Sequence, residues 1–301
     1  MLNTLTVVVL VGFMILMLLD FSQSREATKK IQQSYIINIK LFLFNCILLS
    51  SISGLIVISS PDIAFGLLTN ITNPTLKIVL SFLILDLFLY YWHKLCHTYD
   101  WLWMFHRVHH NETHLTTSTA FRLHFLEIFF TNTIKAGVIV VMGIDQAIAL
   151  IDEAITTLFV MFHHSSIITK SEKWLNKLIV TPLVHRVHHS TERIEHDSNY
   201  GAILTIWDRM FGTYITPKSC IVGIKGDSPQ DFVGLIKFGM TPCTPTTPIY
   251  TPQFNVSIDE MIATAAYYKA EKRGFQHGND QHDWFEAQQE INRIINQQCT
   301  V

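Results

Sequence analysis

"FHRVHHNET" occupies residues 105–113, and "VHRVHHSTE" occupies residues 184–192. In each, histidines fall at i, i+3 and i+4: His106, His109 and His110, then His185, His188 and His189. On an α-helix those positions share one face, with Cβ atoms about 5–6 Å apart. A shorter relative of the motif, "HKLCH", puts His93 and His97 at i, i+4. Imidazoles stacked this way pack poorly and repel one another if protonated. A metal shared between them removes both objections, and helical bundles build metal sites from such inward-facing ligands. Eight or more nitrogens exceed what one ion takes, so two ions are implied, each with four or five ligands. Imidazole suits zinc, copper, iron and nickel. A structural zinc is closed by four ligands, usually with thiolates among them. A histidine-rich pair with room for a further ligand suits two irons that bind and reduce dioxygen.

Composition places these motifs at a membrane. The chain has 301 residues, 49% hydrophobic and only 15% charged, where a soluble domain carries about a quarter charged residues. The net charge of −2 and the lack of a basic, aromatic-studded patch exclude a nucleic-acid partner. The five cysteines are scattered and never spaced CxxC, which excludes a disulfide framework and a thiolate zinc site. Apolar runs at 4–19, 36–59, 75–92, 123–143 and 146–164 predict five spanning helices. The last two form a hairpin around Gly143-Ile144-Asp145, its second arm carrying Asp152 and Glu153. The first run has no basic leader and no small-residue cleavage site, so it reads as a retained span. Arg25, Lys29, Lys30 and Lys40 mark the first loop as cytoplasmic, whereas "SSPDIAFGLLTNITNP" (59–74) has no Lys or Arg. Threading the remaining spans from that start brings every histidine cluster, His163 and His164 included, to the cytoplasmic face. Haem fits poorly, because its axial histidines sit singly in mid-span on facing helices.

The motifs extend well beyond the histidines, through "DLFLYYWHKLCH" (86–97), "WLWMFHRVHHNETHLTTSTAFRLHFLE" (101–127), "FHHSS" (162–166), "VTPLVHRVHHS" (180–190) and "DSNYGAILTIWDRMFGTY" (197–214). In these the chain resembles the fatty acid hydroxylase / sterol desaturase superfamily of membrane di-iron oxygenases, over roughly residues 80–215. The resemblance implies iron ligands at His93, His97, His106, His109, His110, His185, His188 and His189. It implies a further ligand at 163–164, with His164 the better match and His163 the alternative. Some hydroxylases have a histidine four residues before that pair. Phe159 stands there, so nine ligands are expected rather than ten.

Asp86 lies in an apolar span about 10 Å along the helix from His93. An intramembrane carboxylate is costly, and metal-bound histidines commonly give their second N–H to a carboxylate, so Asp86 is expected to orient a histidine on a neighbouring helix. Asp197 and Asn199 are read the same way near the last cluster. Arg107 and Arg186 are expected to hold an interfacial phosphate or carboxylate. His114, His124 and His196 are open between a role at the pocket and ordinary packing.

The expected fold is all-α: a multi-span membrane helical bundle with a histidine-rich di-metal site on its cytoplasmic face. Residues 1–74 are read as N-terminal spans, 75–215 as the catalytic domain, 216–252 as a linker through the proline-rich "TPCTPTTPIYTP" (241–252), and 253–301 as a small helical module. The module is similar to a small bacterial helical domain of unknown function in "AYYKAEKRGF" and "DWFEAQQEI", which points to a bacterial inner membrane; His277 and His282 are read there as surface residues. The expected activity is hydroxylation or desaturation of a lipid (sterol, fatty acyl or related) with O2 as co-substrate and two iron ions, for which zinc can substitute in recombinant protein. No GxGxxG fingerprint is present, so electrons must come from a separate reductase with a ferredoxin or cytochrome. The competing reading is a histidine-rich metal-binding or metal-transport membrane protein without catalysis. A transporter would line its spans with ligands at mid-depth, which these spans do not.

Overall fold

A computed structural model describes residues 1–23, 28–58, 66–167, 171–216, 220–226, 228–242, 258–275 and 278–298. The described chain is helical throughout, with two isolated antiparallel bridges, Ile179 to Leu204 and Ser190 to Val222, and no strand among the described residues. The long helices are α1 (Leu2–Gln23), α2 (Thr28–Ile58) and α3 (Pro74–Thr98), then a shorter α4 (Asp100–His110), a 3-10 turn (Thr117–Phe121), and α5 (Phe125–Met142) and α6 (Gln146–His164). Short elements follow: α7 (Glu172–Leu175), α8 (Pro182–His188), α9 (Arg193–His196), α10 (Ile206–Met210) and α11 (Phe232–Phe238). The chain divides into two units, Met1–Cys243 and Thr244–Val301.

Five helices are long and apolar enough to cross a membrane, at Leu2–Ser22, Lys29–Leu49, Pro74–Thr98, Phe125–Met142 and Gln146–His164. They fall on the five apolar runs, with one shift. The second apolar window begins earlier than 36 because α2 already starts at Thr28. Helix α3 starts cleanly: the Asn73 side chain accepts a bond from Leu76 N, and Pro74 takes the first helical position. It continues through Thr98, so His93 and His97 both ride on the end of a spanning helix. At Tyr99 the backbone turns extended (φ −105°, ψ 122°) and α4 begins at once. That break folds α4 back against α3 and turns the two histidine faces toward each other.

At the other end of the bundle, α5 stops at Gly143 in the left-handed conformation (φ 68°), with Ile144 N bonded to Ile139 O. A side chain at Gly143 would collide with Thr69 and Gly66. The loop before α3 is thereby pressed against the α5–α6 turn, where Lys77 and Asp145 pair at 2.8 Å.

Buried polar anchors tie the first two spans to the rest. Asp20, at the end of α1, accepts bonds from Tyr35 Oη (2.8 Å), Thr117 N (2.6 Å) and Ser166 N (2.7 Å). On α2, Asn38 donates to Glu112 (3.1 Å) and Ser118 (3.0 Å), and accepts from Arg122 (3.1 Å). A charged or amide group in a bilayer is tolerated when it faces the bundle interior and is paired. These groups meet that condition.

The second unit holds α12 (Ile258–Lys272) and α13 (Asp280–Gln298), packed through Ile262, Ala287 and Ile291 and tied by the Arg273–Asp283 ion pair. The proline-rich stretch expected as a linker lies outside the described residues from position 243 to 252, and so does His277; His282 is exposed.

Candidate metal centre

The structure draws the histidines into two adjoining groups. His93, His97, His106, His110 and His188 offer ligand atoms within 4.8 Å of one another, and so do His109, His164, His185 and His189. Four helices contribute. Helix α3 brings His93 and His97, α4 brings three histidines, α6 ends on His164, and α8 with its C-cap brings His185, His188 and His189. Each HRVHH copy thus gives residues to both groups, the first in the ratio two to one and the second one to two.

The geometry suits a cation. His93 Nδ1 lies 2.9 Å from Tyr200 O, and a carbonyl only accepts, so Nδ1 carries the proton and Nε2 a lone pair. His106 Nδ1 lies 2.6 Å from a Glu127 carboxylate oxygen, which fixes the same tautomer. With both rings neutral, their two Nε2 atoms face each other at 3.1 Å, lone pair against lone pair. In the second group His164 Nδ1 donates to Val160 O (2.7 Å), leaving one Nε2 lone pair. Three other Nε2 atoms crowd it, of His185 (2.9 Å), His109 (3.0 Å) and His189 (3.3 Å). One lone pair can accept one N–H. Four nitrogens about 2.0–2.1 Å from a common ion stand about 3.3 Å apart, close to the spacing found here. His97 Nε2, His188 Nε2 and both ring nitrogens of His110 are buried with no partner. The donor set fits a metal pair.

Burial and the neighbouring imidazoles hold His109, His110, His185, His188 and His189 well below the usual histidine range, so each is neutral and able to ligate. The surrounding shell orients them. Besides Glu127 and the Tyr200 carbonyl, Ser198 O accepts from His188 Nδ1 (2.7 Å), and Asp197 lies 3.3 Å from His97 Nδ1. Asp208 in turn grips the loop that presents those carbonyls, accepting from Tyr200 N and Gly201 N at 2.8 Å each. Gly201 is required there, because a Cβ would meet Leu204 O at 2.7 Å.

Not every expected residue reaches the site. His163 stands outside both groups: its ring lies against His164 and His185, at 4.7 and 4.0 Å between centroids, while His164 turns its Nε2 inward. Asp86 does not orient a histidine. Its carboxylate is taken by Ile203 N (3.1 Å), Leu204 N (3.2 Å) and Trp207 Nε1 (2.8 Å), which fastens the loop after the last cluster to α3. Asn199 also hydrogen-bonds no histidine among the described residues. At φ 51° it bridges Val184 O and Ile215 and so ties α8 to the segment behind it. The Arg107 guanidinium bonds the Phe238 and Thr241 carbonyls and stacks on Phe238. The Arg186 carbonyl accepts from Cys220. His196 stacks on Trp103 at the edge of the first group, His124 caps α5, and His114 is exposed.

Beside the histidines lies a cavity of about 400 Å³, reaching along the spanning helices between Trp92, Phe42, Phe121 and Val160. His93, His106, His109, His164 and His185 form its end wall. A hydrocarbon chain in that cavity would abut both groups.

Comparison with known proteins places these features. Residues 78–213 match the profile of the family described as Fatty acid hydroxylase, and residues 258–293 that of a protein of unknown function, DUF2934. The chain is 30% identical over 160 residues to an ornithine lipid hydroxylase of Rhizobium tropici, covering 52% of this chain and 48% of that one. It is 31% identical over 134 residues to the alkylglycerol monooxygenase of Homo sapiens (44% and 29% of the two chains) and 29% identical over 143 residues to that of Xenopus tropicalis (48% and 31%). The chain thus spans about half or less of the length of these curated relatives. No solved structure matches it.

Proposed function

We propose that this chain, whose residues 78–213 match the fatty acid hydroxylase profile, is a membrane di-iron oxygenase acting on a C–H bond of a lipid. The observation that carries the reading is the junction of two imidazole groups with a cavity lined by residues of the candidate spanning helices. A metal store or transporter needs the nitrogens but not an apolar chamber ending on them. The named relatives are hydroxylases and monooxygenases, which favours hydroxylation over desaturation.

In this reading His93, His97, His106, His110 and His188 hold one iron, and His109, His164, His185 and His189 the other. Bound there, the two irons supply the reduction of dioxygen and the oxidation of the C–H bond. The chain supplies placement. Glu127, Asp197 and the carbonyls of Ser198, Tyr200 and Val160 hold the Nδ1 protons, keeping each Nε2 directed at the metal. The cavity walls keep bulk water from the reacting carbon and align the lipid chain toward His106 and His164. The histidine face is cytoplasmic, so soluble donors, a reductase with a ferredoxin or cytochrome, deliver the electrons. The membrane is a bacterial inner membrane.

The test is turnover under ¹⁸O₂ with a reductase and ferredoxin in native-lipid vesicles. Label in a lipid hydroxyl, dependent on donor and oxygen, is the expected result. An iron-loaded, reduced protein that oxidises no lipid would return the reading to a metal-binding protein.

A further inference from the structure

The cavity does not end in hydrocarbon alone. On α6, Glu153, Thr156, Thr157, Val160, His163 and His164 all line it, at the i, i+3, i+4 spacing of one continuous face. Glu153 lies eleven residues before His164, about 16 Å away at ~1.5 Å per residue. Across from it α5 turns Glu127, Thr131 and Asn132 to the same space. A spanning helix has no reason to carry such a stripe toward lipid, and polar intramembrane residues commonly mark a substrate path.

At the far end sits a charged cluster. Lys135 Nζ, on a buried side chain of α5, contacts Glu153 Oε2 at 2.7 Å and Asp152 Oδ2 at 3.3 Å. Two carboxylates share one ammonium, so acceptor capacity is left over. Glu153 Oε1 has no partner among the described residues, and its side chain, 60% exposed, is one of those that line the cavity. Thr156 supplies an independent observation. Thr131, Thr133 and Thr157 each bond back to the helix carbonyl four residues earlier. Thr156 makes no such bond and has no partner among the described residues, although it is only 9% exposed and lines the cavity.

We infer that Glu153 and Thr156 form a polar subsite for a hydroxyl group of the lipid, about 12–16 Å along α6 from His164 at the oxidising end of the cavity. An ammonium is the weaker candidate, since Lys135 already supplies the positive charge and a second would have to be carried to mid-bilayer. The inference deepens the lipid-oxygenase reading and rests on it. It assigns the substrate class: a lipid with a hydroxyl at the end remote from the reacting C–H, held by both ends.

The two claims separate in an equilibrium binding assay that needs no turnover. The probes are radiolabelled dodecan-1-ol and dodecane, with the full-length protein in detergent micelles and its metal content measured alongside. The wild type should bind the alcohol about tenfold more tightly than the hydrocarbon, as one hydrogen bond to a charged group implies. Thr156→Val, which keeps the shape, and Glu153→Gln should each erase most of that preference with metal content unchanged. Equal binding of the two probes by the wild type, or a preference that survives in Thr156→Val, overturns the subsite and leaves the lipid cavity standing. A wild type that binds neither probe overturns both.

Discussion

His93 and His106 point their Nε2 atoms at each other across 3.1 Å, while Tyr200 O and Glu127 already occupy their Nδ1 atoms. With both rings neutral, neither Nε2 has a proton to share. An ion between them resolves the conflict, and the orienting groups become as necessary as the ligands.

Glu127→Ala should therefore weaken metal binding about 10–100-fold at the five-histidine group. A competitive chelator titration reads this directly, with Glu127→Gln intermediate because its amide oxygen still accepts. Unchanged affinity in the alanine variant would mean that the Tyr200 and Ser198 carbonyls suffice.

His163 and His164 should behave differently. His164→Phe should lose about one metal equivalent per chain, and His163→Phe should keep both, because only His164 turns its nitrogen into a group. The reverse pattern, read by elemental analysis, would exchange their roles.

The metal-free protein should lose stability in acid. His109, His110, His185, His188 and His189 have pKa values lowered by burial and by one another. Below the unfolded value of about 6.5, the unfolded chain takes up protons that the folded chain refuses. Stability then rises with pH and falls as pH drops through that value, by up to about 1.4 kcal/mol per pH unit for each such histidine. Tm of chelator-treated protein between pH 8 and pH 5.5 tests the sign; a Tm that rises toward acid would contradict it.

The spans and the clustering of the histidines were legible because both are written as periodicity. Apolar runs mark the five helices, and the i, i+3, i+4 histidines mark faces that meet when Tyr99 breaks the chain between α3 and α4. What the sequence hid was partnership across distance. Asp86 looked like an orienting carboxylate, yet the amides of Ile203 and Leu204 claim it. Glu127 carries the one available signal among the orienting groups that sequence reasoning missed, a carboxylate in the first turn of an apolar helix. The carbonyls of Ser198 and Tyr200 carry no sequence signal at all, since any residue supplies one. Anchors such as Asp20 with Tyr35 and Ser166 likewise depend on which spans become neighbours.

Topology offers an independent check. A cysteine probe near Asn73, at the start of α3, should be labelled only from outside the cell, and one near His114 only from the cytoplasm. Labelling of both from the same side would reject the orientation drawn from Lys29, Lys30 and Lys40.

The most direct measurement of the central claim is the metal content of the full-length protein purified from iron-supplemented cells. Two nitrogen-ligated metal ions per chain, as iron or with zinc in its place, are predicted. They should fall to about one with His164→Phe, because that substitution dismantles the four-histidine group alone. Two ions that persist in His164→Phe, or fewer than two in a folded, iron-supplemented wild type, would contradict the two-metal centre.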